Sequence, residues 1–309
     1  MCGSVHTAVA VPAQNSGMPR DQPQAVIREG RFIAATYANG CGSRAYKTYL
    51  PALNAGRPRP LVVMLHACGQ DADDFATGTR MNEVAGELGF IVAYPEQLAD
   101  ANPARCWNWY DAAHQRRGEG EPSLIAGITR DVMANHNVDP ACVHVAGLSA
   151  GGAMAAIMGN TYPDLYAAMG IHSGLAYAAA NDFSSALAVM SGQRATLQPE
   201  GRAGTMPRVP TIVFHGDIDT TIHPRNGEQV LAQSLSSTSG ATRTVKSGVE
   251  RGRMYTRTIY AGKSGHPAVE HWVVHGAGHA WSGGNAKGSF ADPHGPDATR
   301  AMLEFFSGI

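Results

Sequence analysis

The sequence predicts an α/β protein, a mostly parallel sheet flanked by helices and entered through an antiparallel hairpin. Three observations carry this. Short, almost wholly apolar runs recur along the chain: LVVML from Leu61, FIVAY from Phe90, VHVAG from Val143, YAAMGIH from Tyr166 and TIVFH from Thr211. Runs of that kind mark strands covered on both faces. Segments with helical spacing lie between them, and strand followed by helix, repeated, builds an open parallel sheet with helices on both sides. Ahead of the first run, RFIAATYA and RAYKTYLP flank Asn39-Gly40-Cys41-Gly42, and Asn and Gly accept the positive φ that a hairpin turn demands.

Residues 1–26 form a polar leader containing Gly and Pro and are expected to be loosely ordered, while residues 27–309 are expected to form one folded domain. The leader has a short apolar run with no basic region before it, so it does not show a secretory-signal pattern. Helices are expected over residues 73–88, 122–136, 150–161 and 224–235, and a last strand over residues 269–274. A closing helix ends in MLEFF, and Gly295-Pro296-Asp297 supplies its start, because the fixed φ of proline suits a first turn. Residues 175–206 fit neither strand nor clean helix, which leaves a cover over the site or a long irregular connection as readings. In sheets of this kind, sites form at the carboxyl ends of the strands.

Composition restricts the function class. With 44% hydrophobic and 16% charged residues over 309 positions, the chain can bury a sizeable core and lacks the bias of a disordered sequence. Its 24 basic residues balance 25 acidic ones, and no basic run tracks a phosphate backbone, which argues against nucleic acid as a partner. No apolar stretch is long enough to cross a bilayer. Five cysteines, an odd number with no CxxC spacing, suggest neither a zinc site nor a disulfide scaffold, and a small buried hydrophobe is the plain reading of each.

Gly147-Leu148-Ser149-Ala150-Gly151 falls where VHVAG ends and a small-residue helix begins, and it matches G-x-S-x-G. The turn must be sharp enough to lift Ser149 above the sheet edge, and side chains at the two glycines would collide with neighbouring backbone. The same turn puts the Ala150 amide at a helix N-terminus, where a developing oxyanion is stabilised. An N-cap serine is the plainer alternative. A serine hydroxyl needs a histidine base, itself oriented by a carboxylate, and the chain order in such folds is serine, acid, histidine. TIVFH is followed by Asp217 and Asp219, both placed for the acid. Of 13 histidines, His279 lies on the Gly-rich loop after the last strand, and His275, at the strand end itself, is the weaker candidate. His66 and His215 end strands earlier in the chain and read as structural. A second oxyanion donor is expected from the loop after LVVML, which places the Cys68 amide there. Cys68 and Cys106 both follow the carboxyl ends of strands expected to be neighbours, so a bond between them is expected; none is expected between Cys41 and Cys142.

GLSAGGAM, LHACGQDADDFA, YPEQ followed by CWNWY, HGDIDTTIHP, GAGHAWSGG and GSFADPHGPDAT, in this order, resemble the esterase family of short-chain polyhydroxyalkanoate (polyhydroxybutyrate) depolymerases, itself similar to feruloyl and acetylxylan esterases. The resemblance runs from about Arg31 to the C-terminus. It implies an α/β-hydrolase fold with Ser149, Asp219 and His279 as triad, the amides of Cys68 and Ala150 as oxyanion hole, and Trp281 in the substrate crevice. The family's usual His-Gly-Cys is His66-Ala67-Cys68 here. Trp107 and Trp109 follow FIVAY onto the same edge and read equally as rim or core. The implied activity is serine ester hydrolysis of poly(3-hydroxyalkanoate) or its oligomers in a secreted or periplasmic protein, with no metal or organic cofactor needed. A feruloyl or acetylxylan esterase is the alternative, and a catalytically silent binding protein on the same scaffold is a reading of another class.

Overall fold

The computed structural model describes residues 30–52, 56–193, 209–236, 240–262 and 267–309, so the expected leader lies outside the described residues. The hairpin is present as β1 (Arg31–Asn39) and β2 (Gly42–Leu50), paired antiparallel around the Gly40-Cys41 turn. Five apolar runs become β3 (Arg59–Leu65), β4 (Ile91–Pro95), β5 (Val138–Leu148), β6 (Ala168–His172) and β7 (Thr211–Gly216). Three more strands follow, β8 (Thr242–Glu250), β9 (Arg253–Ala261) and β10 (Pro267–Val274). They form one sheet in the order β1-β2-β4-β3-β5-β6-β7-β10-β9-β8. From β4 through β10 all neighbours run parallel, and an antiparallel hairpin closes each end.

Side chains on the central strands alternate between two cores, which is why these strands are apolar without interruption. Leu61, Val63 and Leu65 of β3 face one core with Val145, Ile171 and Val213; Val62 and Met64 face the other with Leu148, Ile212 and Phe214. The first core is covered by α3 (Gly120–Asn135), α4 (Ala150–Thr161), α5 (Phe183–Met190) and α6 (Arg225–Leu235). The second is covered by α1 (Ala72–Thr79), α2 (Met81–Leu88) and α7 (Ala298–Ser307).

Three differences from the sequence expectation have physical reasons. The helix expected over residues 73–88 breaks at Arg80, which sits at φ 57°. There Asn285 takes the Gly78 carbonyl at 2.8 Å, and the Thr79 hydroxyl accepts from the Met81 amide at 3.3 Å, so a new helix starts. The stretch expected to be irregular contains α5, whose Asp182 cap accepts from the Ser185 amide at 2.7 Å; residues 194–208 lie outside the described residues. The hairpin β8–β9 was not expected, because at the sheet end its β8 side chains are mostly exposed and polar and carry no core-facing signal.

Register places the site. Leu148, His172 and Phe214 are aligned on β5, β6 and β7, and Phe214 aligns with Trp272 of β10. The segments leaving β5, β7 and β10 therefore emerge at one edge of the sheet. No helix of the described residues is long and apolar enough to cross a membrane.

Candidate active site

Ser149 joins β5 to α4 at φ 57° and ψ −119°, a conformation that costs a non-glycine residue free energy and is held by its surroundings. Its amide donates to the His172 carbonyl at 3.0 Å, which fixes the turn to β6. The glycines are required by close approach. A Cβ on Gly151 would overlap the Leu65 carbonyl and lie 2.6 Å from the His66 carbonyl oxygen, and one on Gly147 would lie 2.8 Å from the Leu65 carbonyl oxygen.

Asp219 and His279, the expected acid and base, are brought together: His279 Nδ1 stands 2.7 Å from Asp219 Oδ2. The other carboxylate oxygen accepts from the amides of Thr221 at 2.9 Å and Ile222 at 2.8 Å. His215, read as structural, also faces this acid: its Nε2 donates to the Ile222 carbonyl at 2.8 Å and lies 3.5 Å from Asp219 Oδ2. Burial alone would raise the carboxyl pKa, but hydrogen bonds from His215 and His279 outweigh it and hold Asp219 well below the usual carboxylate range. The acid thus stays ionised, and an ionised partner keeps the proton on Nδ1 and leaves Nε2 of His279 as the basic nitrogen. Among the described residues neither that Nε2 nor the Ser149 hydroxyl makes a hydrogen bond, to each other or to other protein groups.

The loop after β3 is built from buried contacts. His66 donates through Nδ1 to the Ala67 carbonyl at 2.7 Å and accepts at Nε2 from the Gln97 amide at 3.0 Å. Gln70, an unforeseen part of the site, accepts from the Ala67 amide and donates to the Ser289 carbonyl, both at 3.0 Å, tying this loop to the one that follows His279. Cys68 and Cys106 form a disulfide with their Cα atoms 4.2 Å apart; Cys41 and Cys142 are free. The Cys106 loop is held by the fully buried Glu121, which accepts from the Gln97 side chain and, at 2.8 Å, from the Asn108 amide. Among the described residues the amides of Cys68 and Ala150 donate to no protein acceptor.

The rival residues make a pair of their own. His275 Nδ1 lies 2.8 Å from Asp217 Oδ2 and its Nε2 lies 2.9 Å from Thr256 Oγ1, while Asp217 Oδ1 accepts from the Gly276 amide at 2.7 Å. This second pair fastens the acid loop to the base loop from outside. Asp217→Asn removes the charge from both contacts. With each partner about a third exposed, the expected loss is about 1 kcal/mol, and the Gly276 amide should exchange with solvent deuterium faster than in the parent protein.

Trp281, expected in the substrate crevice, is placed in the core, and Trp107 and Trp109, read equally as rim or core, are core as well. Trp281 is 1% exposed, donates to Thr299 Oγ1 at 3.0 Å and stacks on His172; Trp107 is fully buried against His66, and Trp109 is 6% exposed. Large rings bury wherever the loop carrying them folds back over the sheet, and these loops do. Phe290 instead presents an aromatic ring to solvent beside His279, with ring centroids 6.3 Å apart. It lies in GSFADPHGPDAT, one of the motifs that carry the family resemblance. No group of three or more His, Cys, Asp or Glu side chains among the described residues is arranged to hold a metal ion.

Residues 44–254 match the family described as Esterase PHB depolymerase, a segment that contains Ser149 and Asp219 and stops short of His279. Poly(3-hydroxyalkanoate) depolymerase C of Paucimonas lemoignei is 32% identical over 236 residues, which are 71% of this chain and 54% of that protein. The match thus spans about half the length of that relative. Feruloyl esterase B of Neurospora crassa is 30% identical over 290 residues, 88% of this chain and 90% of its own length. Among solved structures, an acetyl xylan esterase from Aspergillus awamori superposes with a TM-score of 0.69 at 21% identity over 91% of this chain and all of that one, which establishes the α/β-hydrolase type of fold. With more than half of its length in the match, the chain belongs to the Esterase PHB depolymerase family.

Proposed function

We propose that the chain is a serine esterase forming one catalytic unit over residues 27–309. The observation that carries the reading is the part-buried His279–Asp219 pair, 2.7 Å apart, on the sheet edge where Ser149 is held in a strained turn. Ser149 Oγ attacks the ester carbonyl as its proton passes to His279 Nε2. The amides of Cys68 and Ala150 receive the charge that develops on the carbonyl oxygen. The imidazolium, stabilised by ionised Asp219, returns the proton to the departing alcohol, and water cleaves the acyl-serine by the same steps in reverse order.

Esters of 3-hydroxyalkanoic acids, as polymer or oligomers, are the leading substrates, supported by the depolymerase relative. A plant-cell-wall ester is the second reading, favoured by the feruloyl esterase match over nearly the whole of both chains. On purified protein, hydroxybutyrate oligomers are expected to be cleaved with a kcat/KM at least about tenfold above methyl ferulate and acetylated xylan, a margin of one factor of ten per 1.4 kcal/mol of transition-state binding. The opposite ranking assigns the chain to cell-wall esters. The Cys68–Cys106 disulfide supports a secreted or periplasmic setting, since such bonds persist in oxidising compartments.

A further inference from the structure

Phe290 is in an unfavourable position on two counts. The residue is 46% exposed, and its backbone sits at φ 51°, a region that bulky residues rarely occupy. Both are enforced by the surrounding backbone. The Phe290 carbonyl accepts from the Trp281 amide at 2.7 Å, where β11 (Trp281–Ser282) meets β12 (Ala291–Asp292). One residue earlier, the Ser289 amide donates to Asp74 Oδ1 at 2.8 Å, and its carbonyl accepts from Gln70 Nε2 at 3.0 Å. The segment is thus fastened to the loop that carries Cys68 and to the strand that follows His279. What these contacts deliver is an aromatic ring standing edge to face against the His279 imidazole, at 76° between planes.

That placement has a chemical meaning if the chain is a serine esterase, the reading on which this inference rests. A histidine acting as general acid must stand within hydrogen-bond reach of the leaving oxygen. Whatever borders His279 on its solvent side therefore borders the alcohol half of the ester, while the acyl half stays on Ser149. We propose that Phe290 is a specificity-determining residue, the apolar wall of the leaving-group site, which selects esters whose alcohol carries an apolar body. An exposed aromatic ring is stabilised by covering it, so substrate binding supplies the contact that the folded chain withholds.

The test holds the acyl group constant and varies the alcohol. With methyl, butyl and 2-naphthyl acetate, the parent protein should favour the larger alcohols in kcat/KM. Phe290→Ala should lower the butyl-to-methyl and naphthyl-to-methyl ratios about tenfold, the loss expected for about two buried methylenes. The methyl butyrate-to-methyl acetate ratio, which reports on the acyl half, should stay constant. Phe290→Gly should show the same change in selectivity with no fall in Tm, because glycine accepts φ 51° without strain. Equal losses for every alcohol, a change in the acyl ratio, or a drop in Tm for the glycine variant would each show a packing role and overturn the proposal. A parent protein inactive on all of these esters, and unlabelled at Ser149 by a fluorophosphonate, removes the esterase reading and this inference with it.

Discussion

Ser149→Ala is expected to lower kcat on any ester substrate by about 10³-fold or more, leaving only what the oxyanion donors and binding supply. Its effect on folding should be small, and the structure says why. The Ser149 hydroxyl makes no hydrogen bond among the described residues, so its removal leaves no buried partner unsatisfied. The backbone strain at φ 57° is the same for alanine as for serine. Activity assays should therefore be read beside thermal unfolding: turnover disappears while Tm stays within about 2 °C, the shift for roughly half a kcal/mol in a domain of this size. Ser149→Gly sharpens the comparison, because glycine relieves the strain and should raise Tm while remaining just as inactive. Turnover retained by either variant would remove the serine from the mechanism.

The second large effect is on stability. Four buried histidines are held neutral: desolvation lowers the pKa of His66, His144 and His271 from 6.5 to about 4, and that of His172 to about 3. Two of them are committed by hydrogen bonds as well, since His66 Nε2 accepts from the Gln97 amide and His172 Nε2 from the Ser282 amide, each at 3.0 Å. The unfolded chain binds protons at these groups below pH 6.5, and the folded chain does not until about pH 4. Their contribution is therefore fully present above pH 6.5 and is lost as pH falls toward 4. Each contributes on the order of 1 kcal/mol per pH unit across that window. Acting together they remove a large share of the roughly 5–15 kcal/mol that a domain has. Denaturant midpoints at pH 7 and pH 5 should differ steeply. Asp219 adds nothing here, because a carboxylate with a depressed pKa loses its contribution only below the ordinary carboxylate range.

His144 isolates the effect. Among the described residues neither of its ring nitrogens has a partner, and its ring stacks on Phe306 at 4.6 Å and 3° between planes, in an apolar layer between β5 and α7. His144→Phe removes one proton-binding site from the unfolded chain and costs no hydrogen bond. The difference between pH 7 and pH 5 should shrink by about a quarter in this variant, on the order of 1 to 2 kcal/mol. A variant whose pH dependence equals that of the parent would show that these histidines do not control acid lability.

Much was legible from the chain alone. Apolar runs long enough to be covered on both faces marked five of the six strands from β4 to β10 that run parallel, and a serine between two glycines marked the turn that joins β5 to α4. The β8–β9 hairpin was not legible, since a strand whose side chains face water on both sides carries no hydrophobic period. Neither was the position of the aromatic rings. GAGHAWSGG placed Trp281 two residues after His279, but in a loop that spacing does not fix where a ring goes, and Trp281 turned inward onto His172.

What the amino-acid sequence determined by itself was local: strand, sharp turn and helix at Ser149, enforced by glycines where no Cβ fits, and a sheet whose two cores follow from alternation within each strand. Only the tertiary structure decided which carboxylate serves which imidazole. Asp217 and Asp219 are two residues apart and His275 and His279 four apart, so spacing alone let either acid meet either base, and only the family resemblance pointed to Asp219 with His279. The chain resolves this across 58 and 60 residues, pairing Asp217 with His275 and Asp219 with His279. The reason is physical. A pairing over such separations depends on where two loops leave adjacent parallel strands and which of them is buried, and no local spacing encodes that.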